Sequence, residues 1–184
     1  METSMNPTSR RGMLLAGLAC ATAGGQALAA DAPATPTTQA IPMVLPRTEF
    51  VYEAIVDLSP ALTLGASPFG ERFMVPIVGG SFEGPGLRGT VMAGGADRQL
   101  LRRDGAKNLD AVYELKTEDG VVISVRNRVL SRRPKDAPSY VFSTLEIVAP
   151  DGRYGWLNDF VYVGTLNSLR PQREAVVIRV YKVV

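Results

Sequence analysis

The sequence restricts acid–base chemistry to carboxylates, amines and phenols. It has no histidine, and its one cysteine, Cys20, lies in an N-terminal leader. The folded part therefore has no Ser-His-Asp or Cys-His nucleophile, no disulfide, and no imidazole or thiolate ligand for zinc, copper or haem. Calcium-loop, dinucleotide-binding and P-loop motifs are also missing, so the sequence predicts no metal site and no cofactor. Proton transfer would fall to Asp, Glu, Lys or Tyr.

Two carboxylates have neighbours that suit a catalytic base. Asp97 follows the glycines at 94–95 and, at the mouth of an apolar barrel, would have a raised pKa. The alternative is a turn cap that accepts hydrogen bonds from its own backbone. Glu83 lies in a predicted tight turn and is a second base, a solvated loop charge, or an ion-pair partner of Arg72 or Arg88. Arg72 itself could clamp a ligand carboxylate through two parallel hydrogen bonds, or simply form an ion pair.

Two polar residues fall on otherwise apolar strand faces. Tyr113 shares its face with Ala111 and Leu115, so its phenol is either a hydrogen-bond donor or general acid in a cavity, or a core tyrosine bonded to backbone. Asn127 shares its face with Val125 and has the same two interpretations. A buried amide needs both donors and acceptors satisfied, which makes a ligand one way of satisfying it.

A predicted strand over 155–163 carries a run of alternating aromatic and amide side chains. Its apolar face presents Trp156, Asn158, Phe160 and Tyr162. This pattern predicts an aromatic wall for a ligand with the Asn158 amide at its rim, although core packing alone would explain the aromatic residues.

Short β-branched and aromatic runs separated by Gly, Pro and Asp-Gly turns predict an all-β fold without helices. Alternation and turn spacing favour a single antiparallel β-barrel of about eight to ten strands, because a closed sheet leaves no exposed edges. Glycines such as Gly79 and Gly80 would permit its sharp bends. The predicted strands span residues 49–58, 72–78, 87–93, 97–103, 110–117, 121–130, 140–148, 155–163 and 174–183.

The N-terminus has the composition of a twin-arginine signal peptide. Arg10 and Arg11 precede an apolar run over 13–23, and Ala27-Leu28-Ala29 offers a small-residue cleavage site. The apolar run is shorter than the roughly 20 residues that span a bilayer. We therefore expect export to the periplasm by the twin-arginine route, and lipidation at Cys20 is disfavoured because no leucine stands three positions before it.

These features divide the chain into three parts. Residues 1–29 form the signal peptide, residues 30–46 a Pro/Ala/Thr-rich linker, and residues 47–184 one β-barrel domain. Cleavage leaves 155 residues with 18 basic and 17 acidic side chains. A net charge of +1 favours no nucleic acid and no membrane after signal cleavage, which leaves a small organic ligand as the expected partner. The sequence is also compatible with a homo-oligomer.

Several spaced motifs together resemble the DUF3237 (UPF0311) family, over about residues 48–184. The motifs are Gly79-Gly80-Ser81-Phe82-Glu83-Gly84-Pro85, Leu87-x-Gly89, Gly94-Gly95-Ala96-Asp97, Leu109-Asp110-Ala111-x-Tyr113, Asp119-Gly120 with Ile123, and Tyr154-x-Trp156-Leu157-Asn158. The resemblance implies a small β-barrel but no settled activity. The family commonly has Trp directly after Gly-Gly-Ala-Asp, and this chain has Arg98. If that Trp lines a ligand site, the ligand of this chain differs and is anionic; otherwise Arg98 replaces a surface residue.

Three functions fit these observations. The first is a barrel that binds a small, partly hydrophobic organic molecule in its lumen. The second is a metal-independent isomerase, cyclase or lyase in which Asp97 or Glu83 abstracts a proton and Tyr113 or Asn158 stabilises an oxyanion. The third is a structural or partner-binding β-module. A packed lumen would leave only the third.

Overall fold

The strands of this protein have side chains that alternate strictly between a buried inner face and an exposed outer face. In the strand Val122–Arg132, every second residue from Ile123 to Val129 is buried and the residues between are exposed. Such a pattern is stable only when one face of the sheet meets an apolar interior. A computed structural model describes residues 42–184; the predicted signal peptide and residues 30–41 of the predicted linker lie outside the described residues.

Ten strands and one short 3₁₀-helix make up the described chain, in line with the predicted all-β class. The strands are β1 (Thr48–Leu58), β2 (Leu62–Ser67), β3 (Gly70–Gly84), β4 (Leu87–Val91), β5 (Ala96–Arg102), β6 (Lys107–Thr117), β7 (Val122–Arg132), β8 (Tyr140–Val148), β9 (Tyr162–Ser168) and β10 (Ala175–Val183). The 3₁₀-helix, Gly155–Asp159, lies between β8 and β9. Among residues 42–184, no helix is long and apolar enough to cross a bilayer.

The sheet closes into an antiparallel barrel, which confirms the predicted fold. Its order is β1-β10-β9-β8-β7-β6-β4-β3, and β1 pairs with β3 to complete the circle. Two further strands extend this wall. β5 lies between β3 and β6 beyond the end of β4, and β2 pairs with β3 beyond the end of β1.

Local geometry differs from the sequence prediction at several places. β3 runs from Gly70 to Gly84, whereas the predicted strand covers only 72–78, so Glu83 lies in a strand and not in a tight turn. The segment predicted as a strand over 155–163 begins as the 3₁₀-helix, and strand geometry starts only at Tyr162. β2 was not predicted, because its exposed side chains do not alternate with buried ones. β1 also has an irregularity that the sequence does not predict: its register changes between Phe50 and Tyr52, so Phe50 is exposed whereas Tyr52 is buried.

One end of the barrel is filled. Phe82, Leu115, Ile123 and Leu157 are buried there, and they belong to an apolar core that continues along the interior to Ala111. Leu157 enters from the 3₁₀-helix, and the neighbouring Tyr154 hydroxyl donates a 2.9 Å hydrogen bond to the carboxylate of Asp119 in the β6–β7 turn. These contacts cap this end and leave the opposite end, where β5 meets β6 and β9 meets β10, as the route into the interior.

Candidate functional site

A cavity of about 60 Å³ lies inside the barrel, towards its uncapped end. Its lining is apolar apart from four polar side chains: Asp97, Gln99, Tyr113 and Asn127. About 10–15 Å³ suffices for one water molecule, so this space admits a few waters or the head of a small organic molecule.

Strand register brings three of these polar residues together. Ala111 on β6 lies opposite Asp97 on β5 and opposite Asn127 on β7, and Tyr113 follows two residues later on the same face. Directly opposed residues on neighbouring strands have Cβ atoms about 5 Å apart. Because Ala111 carries only a methyl group, the carboxylate and the amide flank an open position of the wall.

Six buried side-chain atoms have no hydrogen-bond partner among the described residues. They are Tyr52 Oη, Asp97 Oδ1, Tyr113 Oη, Asn127 Oδ1, Asn127 Nδ2 and Ser143 Oγ. A buried polar group without a partner costs about 1–3 kcal/mol, and native proteins contain few of them. Three of the five residues, Asp97, Tyr113 and Asn127, line the cavity, where water or another molecule could satisfy their free polar atoms.

Asp97 is held by a chain of hydrogen bonds that leads towards solvent. Gln99 Nε2 donates to Asp97 Oδ2 at 2.5 Å, and Lys107 Nζ donates to Gln99 Oε1 at 3.2 Å. Burial raises the pKa of the Asp97 carboxyl group, and the Gln99 hydrogen bond and the Lys107 charge oppose that rise. One carboxylate oxygen is thereby fixed while Oδ1 stays available in the cavity.

Two buried phenols lie near the same space. Tyr52 and Tyr113 are 1% and 0% exposed, and burial raises the pKa of each hydroxyl well above its ordinary value. The two phenols are close enough for each to influence the pKa of the other, although neither makes a hydrogen bond of ordinary geometry. Both are therefore neutral donors at any physiological pH.

A wider opening adjoins the cavity. It has a volume of about 440 Å³ and shares five lining residues with the inner cavity, among them Leu58, Gln99 and Leu109. Ligand pockets commonly have volumes of about 300–1,000 Å³. We refer to this opening as the mouth; it connects solvent to the polar groups within.

The structure therefore brings together Asp97, Tyr113 and Asn127 from the residues that the sequence singled out. It does not place Glu83 with them. Glu83 is exposed on the outer side of β3 near the capped end, in a surface depression with Glu118 and Arg153. This position agrees with the alternative of a solvated charge rather than with a Glu83–Arg88 ion pair, since Arg88 Nε donates to Glu118 at 2.8 Å.

The 155–163 segment contributes structural contacts rather than a lumen wall, because its first half is helical. Asn158 Nδ2 donates to the carbonyl oxygen of Ala149 at 3.0 Å, and its Oδ1 accepts from the Ala149 N–H at 3.0 Å. Trp156 is 37% exposed and packs edge-on against Phe160. Neither Asn158 nor Trp156 lines the cavity or the mouth.

The two predicted arginine ligands also point outwards. Arg98 alternates with Asp97 and Gln99 on β5, so it lies on the exterior. Arg72 donates to the carbonyl oxygen of Leu64 at 2.9 Å. Both line an outer groove of about 870 Å³ rather than the lumen, so the structure does not bring either arginine together with Asp97, Tyr113 and Asn127.

Sequence reasoning missed four polar residues of the interior. Tyr52 and Ser143 lie on inward faces of β1 and β8, where strand alternation would have identified them. Gln99 lies two residues after Asp97 on the same strand face, and that spacing is the signal that could have found it. Lys107 was missed because the predicted strand began at 110, whereas β6 begins three residues earlier.

Within residues 42–184, no group of three or more His, Cys, Asp or Glu side chains has metal-binding geometry. The polar side chains that line the cavity are one carboxylate, two amides and one phenol.

The sequence model of a family described as "Protein of unknown function (DUF3237)" matches residues 46–183. The chain belongs to the DUF3237 family. The UPF0311 protein RPA1785 of Rhodopseudomonas palustris is 31% identical over 151 residues, which cover 74% of this chain and 95% of that protein. Its crystal structure matches with a TM-score of 0.71 over 77% of this chain and 100% of that one. A β-barrel-like protein from Acinetobacter baumannii, 28% identical, matches with a TM-score of 0.70, at 78% and 99% coverage.

One DUF3237 relative carries the name of an activity. The hydroalkoxylation enzyme phnH of Penicillium herquei is 29% identical over 124 residues, which cover 67% of this chain and 76% of that protein. A crystal structure of an enzyme from Penicillium herquei shares the fold with a TM-score of 0.63 over 78% of this chain and 98% of that one, at 24% identity.

Proposed function

We propose that this chain binds a small, partly hydrophobic organic molecule in the lumen of its barrel. The observation that carries the proposal is the group of unpartnered polar atoms at Asp97, Tyr113 and Asn127. They lie at the inner end of an otherwise apolar cavity that the mouth connects to solvent. Apolar walls with a few convergent polar groups are the usual composition of a ligand site.

The two volumes limit how such a molecule sits. The inner cavity of about 60 Å³ takes only a small oxygen-bearing end, whereas the mouth of about 440 Å³ takes a ring or a short chain. Asn127 has both a donor and an acceptor to offer, and Tyr113 has a donor. A phenol, enol, ketone or lactone end satisfies these groups.

A second function, metal-independent proton transfer, is favoured by the state of Asp97. A carboxylate whose pKa is raised by burial is a better base near neutral pH than an ordinary one. Asp97 would accept a proton from a ligand hydroxyl or activated carbon while Tyr113 donates a hydrogen bond to the developing oxyanion. The same proton would return to another ligand atom, so an isomerisation or cyclisation balances without an external reactant. The relative named as a hydroalkoxylation enzyme supports this class.

Ligand binding is tested by a screen of thermal shifts with phenols, enones, lactones and aromatic acids. Hits are compared between the wild type and Ala111→Leu, which fills the open position between Asp97 and Asn127. We expect ligands to stabilise the wild type and to leave Ala111→Leu unchanged. Equal shifts in both proteins would mean that the ligands bind elsewhere, and no hits at all would favour a structural β-module.

Catalysis is tested by product analysis of the hits with Asp97→Asn. We expect binding to persist and turnover to fall by roughly 100-fold or more. Glu83→Gln is the matched control, because it makes the same chemical change at an exposed carboxylate outside the site. Unchanged turnover in Asp97→Asn would remove the enzymatic proposal and leave the binding proposal intact.

The proposal includes a periplasmic location, which rests on the leader sequence. Arg10, Arg11 and the site at Ala27-Leu28-Ala29 have the spacing of a twin-arginine signal. We expect cleaved protein in the periplasmic fraction of a Gram-negative host, and cytoplasmic precursor when both arginines are changed to lysine. Equal export of the two forms would contradict this route.

A further inference from the structure

The mouth of the barrel is lined by cations without acids. Lys107, Arg133 and Arg170 contribute to its wall, and no Asp or Glu is among the described residues that line it. Only one of the three cations is neutralised: Arg170 pairs with Glu174 outside the lining. Lys107 and Arg133 have no ion-pair partner within residues 42–184. An opening lined in this way attracts anions and holds them close to apolar walls.

Lys107 is fixed in a geometry that suits an incoming anion. Its ammonium group lies 5.6 Å from the centroid of the Phe73 ring and donates to Gln99 at 3.2 Å. These contacts hold the half-buried side chain in place, and neither of them is an ion pair. Partial removal from water makes an ion pair at such a position stronger than one at an open surface.

We propose that the lumen ligand carries a carboxylate, which Lys107 and Arg133 bind at the mouth while an uncharged oxygen-bearing end reaches Asp97. This inference rests on the proposed function and specifies its ligand class. Arg133 supplies a planar guanidinium group that matches a carboxylate with two parallel hydrogen bonds, and Lys107 supplies a point charge.

The distance between the mouth and Asp97 determines which end of the ligand lies in the inner cavity. Lys107 on β6 lies opposite Leu101 on β5, and Leu101 is four residues from Asp97. Four residues of a strand span about 13 Å, so this is roughly the distance along the barrel between the Lys107 and Asp97 positions. The inner cavity is lined by no cation, and a carboxylate there would face the carboxyl group of Asp97. The charged end therefore stays at the mouth, and the ligand needs a ring or short chain between its two ends.

The experiment compares aryl acids with their methyl esters. The probes are hydroxyphenyl-substituted benzoate, acetate, propanoate and butanoate, each titrated as acid and as ester by calorimetry against the full mature protein. The test variant is Lys107→Met with Arg133→Gln. The control variant is Lys116→Met with Arg98→Gln, which removes the same charges from the barrel exterior, and both must unfold at temperatures close to the wild type.

In the wild type we expect at least one acid to bind about tenfold or more tightly than its ester, with an advantage that weakens as salt is added. The test variant should lose that advantage, with ester affinity within about twofold of the wild type, and the control should keep it. Equal binding of acid and ester in the wild type, or equal losses in the two variants, would overturn the inference.

The Ala111→Leu variant separates this inference from the proposed function. If acid and ester bind the wild type equally and Ala111→Leu abolishes the binding of both, the proposed lumen site stands and only the proposed carboxylate is contradicted. If no probe binds, or Ala111→Leu binds all of them normally, both fail.

Discussion

At Asp97, the same burial that would prepare a base also makes the folded state depend on pH. Burial raises the pKa of this carboxyl group, so the folded protein holds the proton more tightly than the unfolded chain does. Its contribution to stability is therefore complete below the ordinary Asp pKa of about 3.9 and is lost as the pH rises through the raised folded-state value.

Asp97→Asn should remove the loss of stability that ionisation of the buried carboxyl group causes as the pH rises. We expect the variant to have a higher free energy of unfolding than the wild type at pH 7, with a difference that shrinks towards pH 4, measured by urea denaturation. Asp110→Asn is the opposite control. The hydrogen-bonded ion pair with Arg126 lowers the pKa of Asp110, so this variant should lose stability at pH 7 and less at low pH. A difference between wild type and Asp97→Asn that does not change with pH would contradict the buried-carboxylate account.

Asn127 and Asn158 should respond in opposite ways to the same substitution. Asn127 is 1% exposed with both amide atoms unpartnered, so Asn127→Leu should raise the free energy of unfolding by about 1–2 kcal/mol and abolish ligand binding. Asn158 bonds both backbone groups of Ala149, so Asn158→Leu should lower it by about 1–3 kcal/mol. Chemical denaturation of both variants checks this, and destabilisation of Asn127→Leu would mean that its amide is satisfied by protein in solution.

Among the elements, β3 depends on a glycine where it passes β1. Gly80 has a φ of +139°, and a Cβ there would collide with the carbonyl oxygen of Ile55. The substitution would therefore strain the backbone and separate the strand pair that closes the barrel.

Gly80→Ala should therefore lower the free energy of unfolding by about 3 kcal/mol or more. Gly120→Ala is the control: Gly120 also has a positive φ, +87°, but has open space around its Cβ position, so about 1 kcal/mol is expected. Thermal and urea denaturation of the two variants provide the comparison. Equal losses would show that close approach of β1 and β3 does not require this glycine.

The element scale also shows what the sequence could predict. Alternation correctly directed Asp97, Tyr113 and Asn127 inwards, because strand period depends only on local pattern and a shared apolar face. It failed at Asn158, because the alternation of Trp156, Phe160 and Tyr162 imitates the period of a strand although Trp156 and Asn158 lie in a 3₁₀-helix. It also could not find the Asp97–Gln99–Lys107 chain, since hydrogen bonds between strands depend on register, which no local pattern contains.

At the scale of the whole barrel, the two ends differ in how completely side chains fill the interior. Apolar residues and the 3₁₀-helix fill one end, whereas small Ala111 and unpartnered polar groups leave space at the other. Closure of the sheet, its antiparallel order and its strand number were all predictable, but whether the interior is packed or hollow depends on the summed volumes of side chains from every strand.

A larger side chain in the cavity should raise the free energy of unfolding and abolish ligand binding. Ala111→Leu adds apolar volume to a cavity of about 60 Å³, so we expect a free energy of unfolding about 1 kcal/mol higher and no ligand binding. Val112→Leu, at an exposed position of the same strand, should change neither by much. Denaturation and calorimetry check both properties. A strong loss of stability in Ala111→Leu would mean that the interior is already packed.

The most direct measurement is a crystallographic soak of the mature protein with small phenols, ketones and aryl acids. The lumen account predicts fragments inside the barrel, with an oxygen atom in hydrogen-bond contact with Asp97 Oδ1, Tyr113 Oη or the Asn127 amide. Fragments that bind only on the exterior, with the interior closed by apolar side chains, would contradict it.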